Sequence, residues 1–228
     1  MSALTNTLKY LDNLKEIVEQ AKKDSMEFFA PKTYIEKARI IVGNKEHILV
    51  CAKALVNFYE SATKLFGVSL AKDFLYRLGE NLGISEAETM FKAYKLEDQV
   101  MQCWERCLYA PYSLMALGLA RLDILLFDVE MKDGFLLLCE TKNSVFVEIM
   151  GGKVKTPICS MIAGYLNGWY KVATGRRNLV TREIMCRAAG DDVCRFITGK
   201  IKKMSELVKR EDLKKPSNEY PVIEFKWK

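Results

Sequence analysis

The hydrophobic periodicity of this chain changes halfway along, and that change restricts the fold class. In the first half, apolar residues recur at intervals of three and four. Leu4, Leu8, Leu11, Leu14, Ile17, Val18 and Ala21 form one helical stripe, and Pro31 breaks the chain after Phe28-Phe29. A second helix is predicted from about Glu46 to Phe66, with Ile48, Ala52, Leu55, Phe58 and Tyr59 on one face and Gly67 at its end. A third runs from Ser69 to Gly83. Ser85-Glu86-Ala87-Glu88 reads as a capping box that opens a fourth, reaching Tyr109 before Pro111 closes it.

From Gly118 the pattern becomes strand-like. Gly118 to Met131 is rich in Leu, Ile, Phe and Val, and Lys132-Asp133-Gly134 is a hairpin signal. Phe135–Cys139 and Val145–Ile149 read as strands. A helix from Ile158 to Ala173 carries Pro157 at its start. Leu179–Ala189 and Val193–Thr198 read as strands around Gly190-Asp191-Asp192. A charged helix follows over Lys200–Lys209, and Val222–Phe225 suits an edge strand. Helices first and a meander later predict an α+β fold. Its antiparallel sheet has about four or five strands, with helices packed on it. The expected division is a helical extension over 1–45, a ligand-binding domain over 46–209 and a tail over 210–228.

Half the residues are apolar, enough for a sizeable core. No uncharged apolar run reaches the roughly 20 residues that span a bilayer, and the N-terminus lacks signal-peptide character. A cytoplasmic location without membrane insertion is therefore expected. The net charge of +6 is dispersed among acidic residues. The mild cluster of Lys200, Lys202, Lys203, Lys209, Arg210, Lys214 and Lys215 reads as a solvated face, so no nucleic-acid partner is expected.

Seven cysteines in a reducing compartment point to metal binding or burial, since disulfides do not persist there. A three-residue loop, Ala189 to Asp191, would place Cys186 directly opposite Cys194. Facing Cβ atoms stand about 4.5–5.5 Å apart, close enough to share a zinc ion. Glu183, three residues before Cys186, would point to the other face unless a bulge turns it inward. Cys159 would come from the first turn of the preceding helix, where a thiolate is favoured. Together, three thiolates and one carboxylate fill a tetrahedral, structural shell. Spacing alone leaves ordinary buried cysteines as an equal alternative.

The stretch Ala163-Gly164-Tyr165-Leu166-Asn167-Gly168, then Gly175-Arg176, then Glu183 to Phe196 resembles the 4-vinyl reductase domain family. The order Glu-x-x-Cys, Gly-Asp, Cys-x-Phe is the specific part. The resemblance extends over roughly 50–200. It implies an α+β fold similar to nitric-oxide-sensing haem domains and to TRAPP core subunits. In the sensor branch of the family a cysteine, a glutamate and two cysteines hold zinc. The matching positions are Cys159, Glu183, Cys186 and Cys194. The implied function is a zinc-stabilised, homodimeric regulatory domain with a hydrophobic pocket for an aromatic or hydrophobic small molecule. The alternatives are a part in tetrapyrrole vinyl reduction, or a protein-interaction scaffold. The histidine and tryptophan of the phenol-sensing branch are not matched: the single histidine, His47, precedes the matching region. No ATPase or DNA-binding segment follows, so a whole activator is not expected.

The remaining candidates have two readings each. His47 is weighed as a haem ligand, because the related fold binds haem, against the preferred capping or surface role. Cys103 and Cys107 share a helical face, as a second metal site or, preferentially, as core. Phe58, Tyr59, Phe66, Phe74, Tyr76, Phe91 and Tyr94 suit a pocket, a core or a dimer interface equally. Arg176 and Arg177 either neutralise the metal cluster or are solvated. No phosphate loop, serine–histidine–acid set or dinucleotide fingerprint is present, which leans against catalysis.

Overall fold

A computed structural model of the chain describes residues 2–34, 37, 39–43, 45–97, 103–128, 135–150 and 154–216, with side chains from Leu14 onward. The architecture is α+β. The N-terminal helix α1 (Ser2–Phe28) leads into a small antiparallel meander of β1 (Lys32–Tyr34), β2 (Arg39–Val42) and β3 (Lys45–His47). Helices α2 (Ala52–Phe66), α3 (Val68–Ala93), α4 (Cys103–Cys107) and α5 (Tyr109–Ala116) follow. Strands β4 (Ala120–Asp128), β5 (Leu136–Ser144), β6 (Leu179–Met185) and β7 (Cys194–Lys200) form the main sheet in the order β4-β5-β7-β6. Helices α6 (Val145–Met150) and α7 (Ser160–Thr174) connect β5 to β6, and α8 (Ile201–Leu207) follows β7.

The sheet is covered on both faces. Leu137, Cys139 and Phe196 join the large core that includes α7, while Leu136, Leu138 and Ile197 pack with Met204, Leu207 and Leu213. Burial on both sides explains why β5 reads as a continuous apolar run instead of an alternating one. Likewise α7 is buried from Met161 to Tyr170 on nearly every side, which marks it as the central helix. Phe28, Phe29 and Val42 belong to the same large core.

The contact of α3 with α7 is made by backbone. Gly79 and Gly83 on α3 face Gly164 and Gly168 on α7. A Cβ on Gly79 would stand 2.0 Å from the Met161 carbonyl oxygen, and one on Gly164 would stand 2.0 Å from that of Tyr76. The corresponding distances are 2.2 Å from Gly83 to Tyr165 O and 2.1 Å from Gly168 to Glu80 O. No other residue fits at these positions. Polar clamps border the crossing. The Glu80 carboxylate accepts from Asn167 Nδ2 at 2.8 Å and Lys171 Nζ at 2.6 Å, both on α7.

Several expectations are corrected. Gly83 does not end a helix, and Ser85 does not open one. Helix α3 runs straight through both, because the glycines are used for close packing, which offsets their helix penalty of about 1 kcal/mol each. Ser85 instead takes a hydrogen bond from Lys45 Nζ. The second helix starts at Ala52, since Lys45–His47 pairs with β2 as a strand. Pro111 lies inside the first turn of α5, a position that tolerates a missing N–H. Val145–Met150 is helical despite its strand-forming residues: Val145 N–H bonds the Leu119 carbonyl and turns the chain off the sheet. Helix α7 starts at Ser160, so Pro157 precedes it. The Lys132-Asp133-Gly134 turn and the Val222–Phe225 strand lie outside the described residues. Among the described residues no helix is long and apolar enough to cross a membrane.

Replacing Gly164 by alanine forces α3 and α7 apart. The Gly164→Ala variant is expected to lose about 3 kcal/mol in urea unfolding, whereas Ser61→Ala on the exposed face of α2 changes stability by less than about 0.5 kcal/mol.

Candidate metal centre

Four side chains converge where β6, β7 and the start of α7 meet. One ligand atom from each of Cys159, Glu183, Cys186 and Cys194 lies within 4.8 Å of all the others. Among the described residues no other group of three or more histidines, cysteines or carboxylates does this. The three thiols are buried.

Local structure explains each placement. Cys159 is the N-cap of α7, and its backbone N–H donates to Glu183 Oε2 at 2.8 Å. Glu183 pairs with Phe196, but Met185 pairs with Arg195, so β6 carries one extra residue between them. That bulge reverses the alternation of side chains and brings Glu183 to the side of Cys186. The expected three-residue loop is replaced by a longer turn. Strand β6 ends at Met185, and Arg187–Ala189 forms a single 3₁₀ turn. The Cys186 carbonyl accepts from Ala189 N–H at 2.9 Å and Asp191 N–H at 3.2 Å. Gly190, at φ 108°, supplies the left-handed residue that closes the turn. Cys186 N–H donates to Asp191 Oδ2 at 2.6 Å, and Arg187 N–H points at Cys194 Sγ at 3.4 Å. The turn therefore aims a backbone dipole at a cluster sulfur.

The donor set has the dimensions of a tetrahedral shell. Donors about 2.3 Å from a tetrahedral centre stand about 3.8 Å apart. Cys159 Sγ and Cys194 Sγ are separated by 3.8 Å. Glu183 Oε1 is buried without a hydrogen-bond partner. Such an atom carries a desolvation cost that a cation would remove. With no cation between them, four acidic groups at this spacing cannot all ionise. S–H donation from Cys159 and Cys194 holds the Cys186 thiol far below its ordinary range. Burial, then the charge on Cys186, pushes the Glu183 carboxyl well above its own. The set thus gathers its negative charge on one sulfur, which is the electrostatics of a cation site lacking its cation. A cleft of about 180 Å³ abuts Glu183, lined by Lys72, Tyr76, Ser160 and Arg182.

The other expected residues fall elsewhere. The Arg176 guanidinium lies over the Phe135 ring, 5.9 Å from its centroid, at the end of β5 remote from the cluster. It is Arg187 that flanks the cluster, ion-paired with Glu148 at 3.0 Å. Cys107 is buried, with its thiol pushed up by burial. The aromatic set divides: Tyr59 and Phe91 are buried, whereas Phe58, Phe66 and Phe74 are exposed. Phe91 meets Trp169 edge-on at 5.6 Å, and Trp169 stacks on Tyr165 at 5.8 Å.

A four-stranded antiparallel sheet backed by a glycine-packed helix pair, with a buried cysteine–glutamate set at one end, defines the class: an α+β domain organised around a closed ligand shell. The chain belongs to the 4-vinyl reductase domain family of the sequence resemblance, whose model matches residues 142–200. Over 169 residues the chain is 31% identical to the transcriptional regulatory protein XylR of Pseudomonas putida, covering 72% of this chain and 29% of XylR. It therefore spans less than a third of that relative's length. The crystal structure of the phenol-responsive sensory domain of the transcription activator PoxR with phenol has the same fold. The TM-score is 0.69 at 20% identity, over 85% of this chain and 97% of that one.

A second polar cluster escaped the sequence reading. Glu86 on α3 is buried and accepts from Tyr165 OH at 2.9 Å. His47 Nε2 lies 3.6 Å from Glu86 Oε1, while its Nδ1 faces the Lys45 carbonyl at 3.0 Å. His47 thus ties the small meander to the central helices. No sequence signal could have paired residues 79 positions apart. Burial pushes the Glu86 carboxyl up to about 7, against the opposing pull of Tyr165 and His47. A carboxyl raised in the folded state keeps its proton where the unfolded chain has lost it. Glu86 therefore stabilises the fold least at high pH, and its contribution falls as pH rises from about 4.5 to about 7. The Glu86→Gln variant is expected to show a flatter loss of stability over that window than the parent. Equal pH slopes in urea titrations of the two would refute this.

Proposed function

We propose that this chain is a zinc-stabilised sensory domain that binds a hydrophobic, aromatic-type small molecule and works as a homodimer in the cytoplasm. The observation that carries the metal reading is the closed set of Cys159, Glu183, Cys186 and Cys194, with an unpartnered carboxylate oxygen among buried thiols. When bound there, zinc supplies charge compensation and a cross-link between α7 and the β6–β7 turn. Three sulfurs and one oxygen leave no open position, so the role is structural. A reducing compartment keeps the thiols available.

The sensory reading is supported by the relatives. The segment shared with XylR belongs to a transcriptional regulator, and PoxR's domain of this fold is phenol-responsive by its description. Small-molecule binding is the activity common to that reading. The nature of the effector follows only as a class: apolar and aromatic.

Two measurements test the proposal. Metal analysis of the purified chain is expected to give about one zinc per chain, falling below about half in Cys186→Ser. Acidification or a chelator is expected to release the metal and lower the melting temperature, because the ligands must be deprotonated to bind. A metal-free chain with unchanged stability in Cys186→Ser would remove the metal reading. For the effector, phenol and benzene are the probes, read by calorimetry and by a rise in melting temperature. Neither heat nor a melting shift at millimolar probe would count against the sensory reading.

A further inference from the structure

We propose that the outward face of α2 and α3 is a self-association surface, closed in solution by a second copy of this chain about a two-fold axis. The proposal deepens the dimeric part of the functional reading and rests on it.

Both helices are apolar on two sides. The inner side of α2 buries Val56, Tyr59 and Ala62, and that of α3 buries Ala71, Leu75 and the glycine pair. On the outer side Leu70, Phe74 and Leu78 recur every fourth residue along α3, and Phe58 and Leu65 lie two turns apart on α2. These stripes have the spacing of a helix-packing seam, yet they face out. Leu65 and Phe66 are 75% and 64% exposed, and the other four are 41–56% exposed. The rings of Phe58 and Phe74 lie 5.4 Å apart, so the two stripes merge into one patch.

The size of the patch argues for a dimer. At about 200 Å² for each fully exposed large side chain, the six leave on the order of 700 Å² of apolar surface open. A typical monomer's largest patch is roughly 300–600 Å². A standard protein interface buries about 800 Å² per partner.

Charge pattern selects a second copy as the occupant. Asp73 and Arg77 lie one turn apart on the same flank of the α3 stripe, and both are exposed. An antiparallel two-fold pairing of α3, with its axis at the level of Leu75, places Asp73 of each copy beside Arg77 of the other. Both contacts are then attractive, and neither needs a foreign partner. Arg77 can reach across: its side chain is 77% exposed, at 3.3 Å from Glu80.

Sedimentation equilibrium of the full chain tests the surface. The wild type is expected to dimerise, and Phe74→Glu and Leu65→Glu are each expected to weaken self-association at least about 100-fold while melting cooperatively. Asp73→Arg and Arg77→Asp are each expected to weaken it, and the double exchange to restore it, because only a two-fold pairing sets these residues against each other. A monomeric wild type, or folded Phe74→Glu and Leu65→Glu variants that stay dimeric, would overturn the proposal. Zinc content and the response to phenol, measured on the same samples, keep the two readings apart. A monomer that holds zinc and responds overturns the surface alone, whereas a dimer disrupted by these variants but lacking zinc and response upholds the surface and removes the functional reading.

Discussion

The approach of α3 to α7 sets the spacing of the whole interior. Four glycines let two helix backbones meet with no side chain between them, and each would collide with a carbonyl if it gained a single methyl group. Such a contact has one register. A slide by one turn would set Tyr76 or Tyr165 against a backbone that has no room for either. Glu80 with Asn167 and Lys171, and Glu86 with Tyr165, fix the same register by hydrogen bonds. Buried polar pairs add little net stability but penalise every alternative alignment. Because α7 is held this way, its N-cap, Cys159, is delivered to the end of the sheet at a fixed height.

The cysteine–glutamate set depends on that delivery and on one irregularity in β6. Cys194 opens β7, opposite Thr141 of the sheet's central strand β5, so its position belongs to the sheet. Cys186 belongs to a turn that its own carbonyl closes. Glu183 reaches them only through the bulge, since an unbroken strand would send its carboxylate to the other face. Helix, sheet and turn therefore meet at four donor atoms. A cation there would tie together elements that are otherwise joined by packing alone. The sheet's opposite face has a separate fastening: Arg195, next to Cys194, is buried, pairs with Glu140 at 2.6 Å and donates to the carbonyls of Leu213 and Lys215. The segment after α8 is thus pinned to the strand that carries a cluster cysteine.

Much of this was legible in the residues. The switch from helical to strand periodicity pointed to the α+β class, and the positions of β4, β5, β6, β7 and α7 followed within a few residues. The cluster was legible because its chemistry is local. Cys186 and Cys194 flank a glycine turn, and thiols with a carboxylate at hairpin spacing have few other uses. The errors share one cause. Gly79 and Gly83 read as punctuation, Ser85 as a cap and Val145–Met150 as a strand, because propensity was taken without the neighbour that overrides it. The three short strands β1 to β3 carried no periodic signal, being three or four residues each.

By itself the sequence determined the class of fold, the central position of α7 and the identity of the four cluster residues, since each is a property of a residue type within a local pattern. Only the tertiary structure decided that the glycines are contacts instead of breaks, that Glu86 and His47 meet, and that Arg187 flanks the cluster in place of Arg176. It also decided that Phe58, Phe66 and Phe74 face outward while Tyr59 and Phe91 face in. These are pairings between residues far apart in the chain. A local pattern fixes what a side chain can do, whereas its partner is chosen by the packing of elements whose separation in sequence carries no signal.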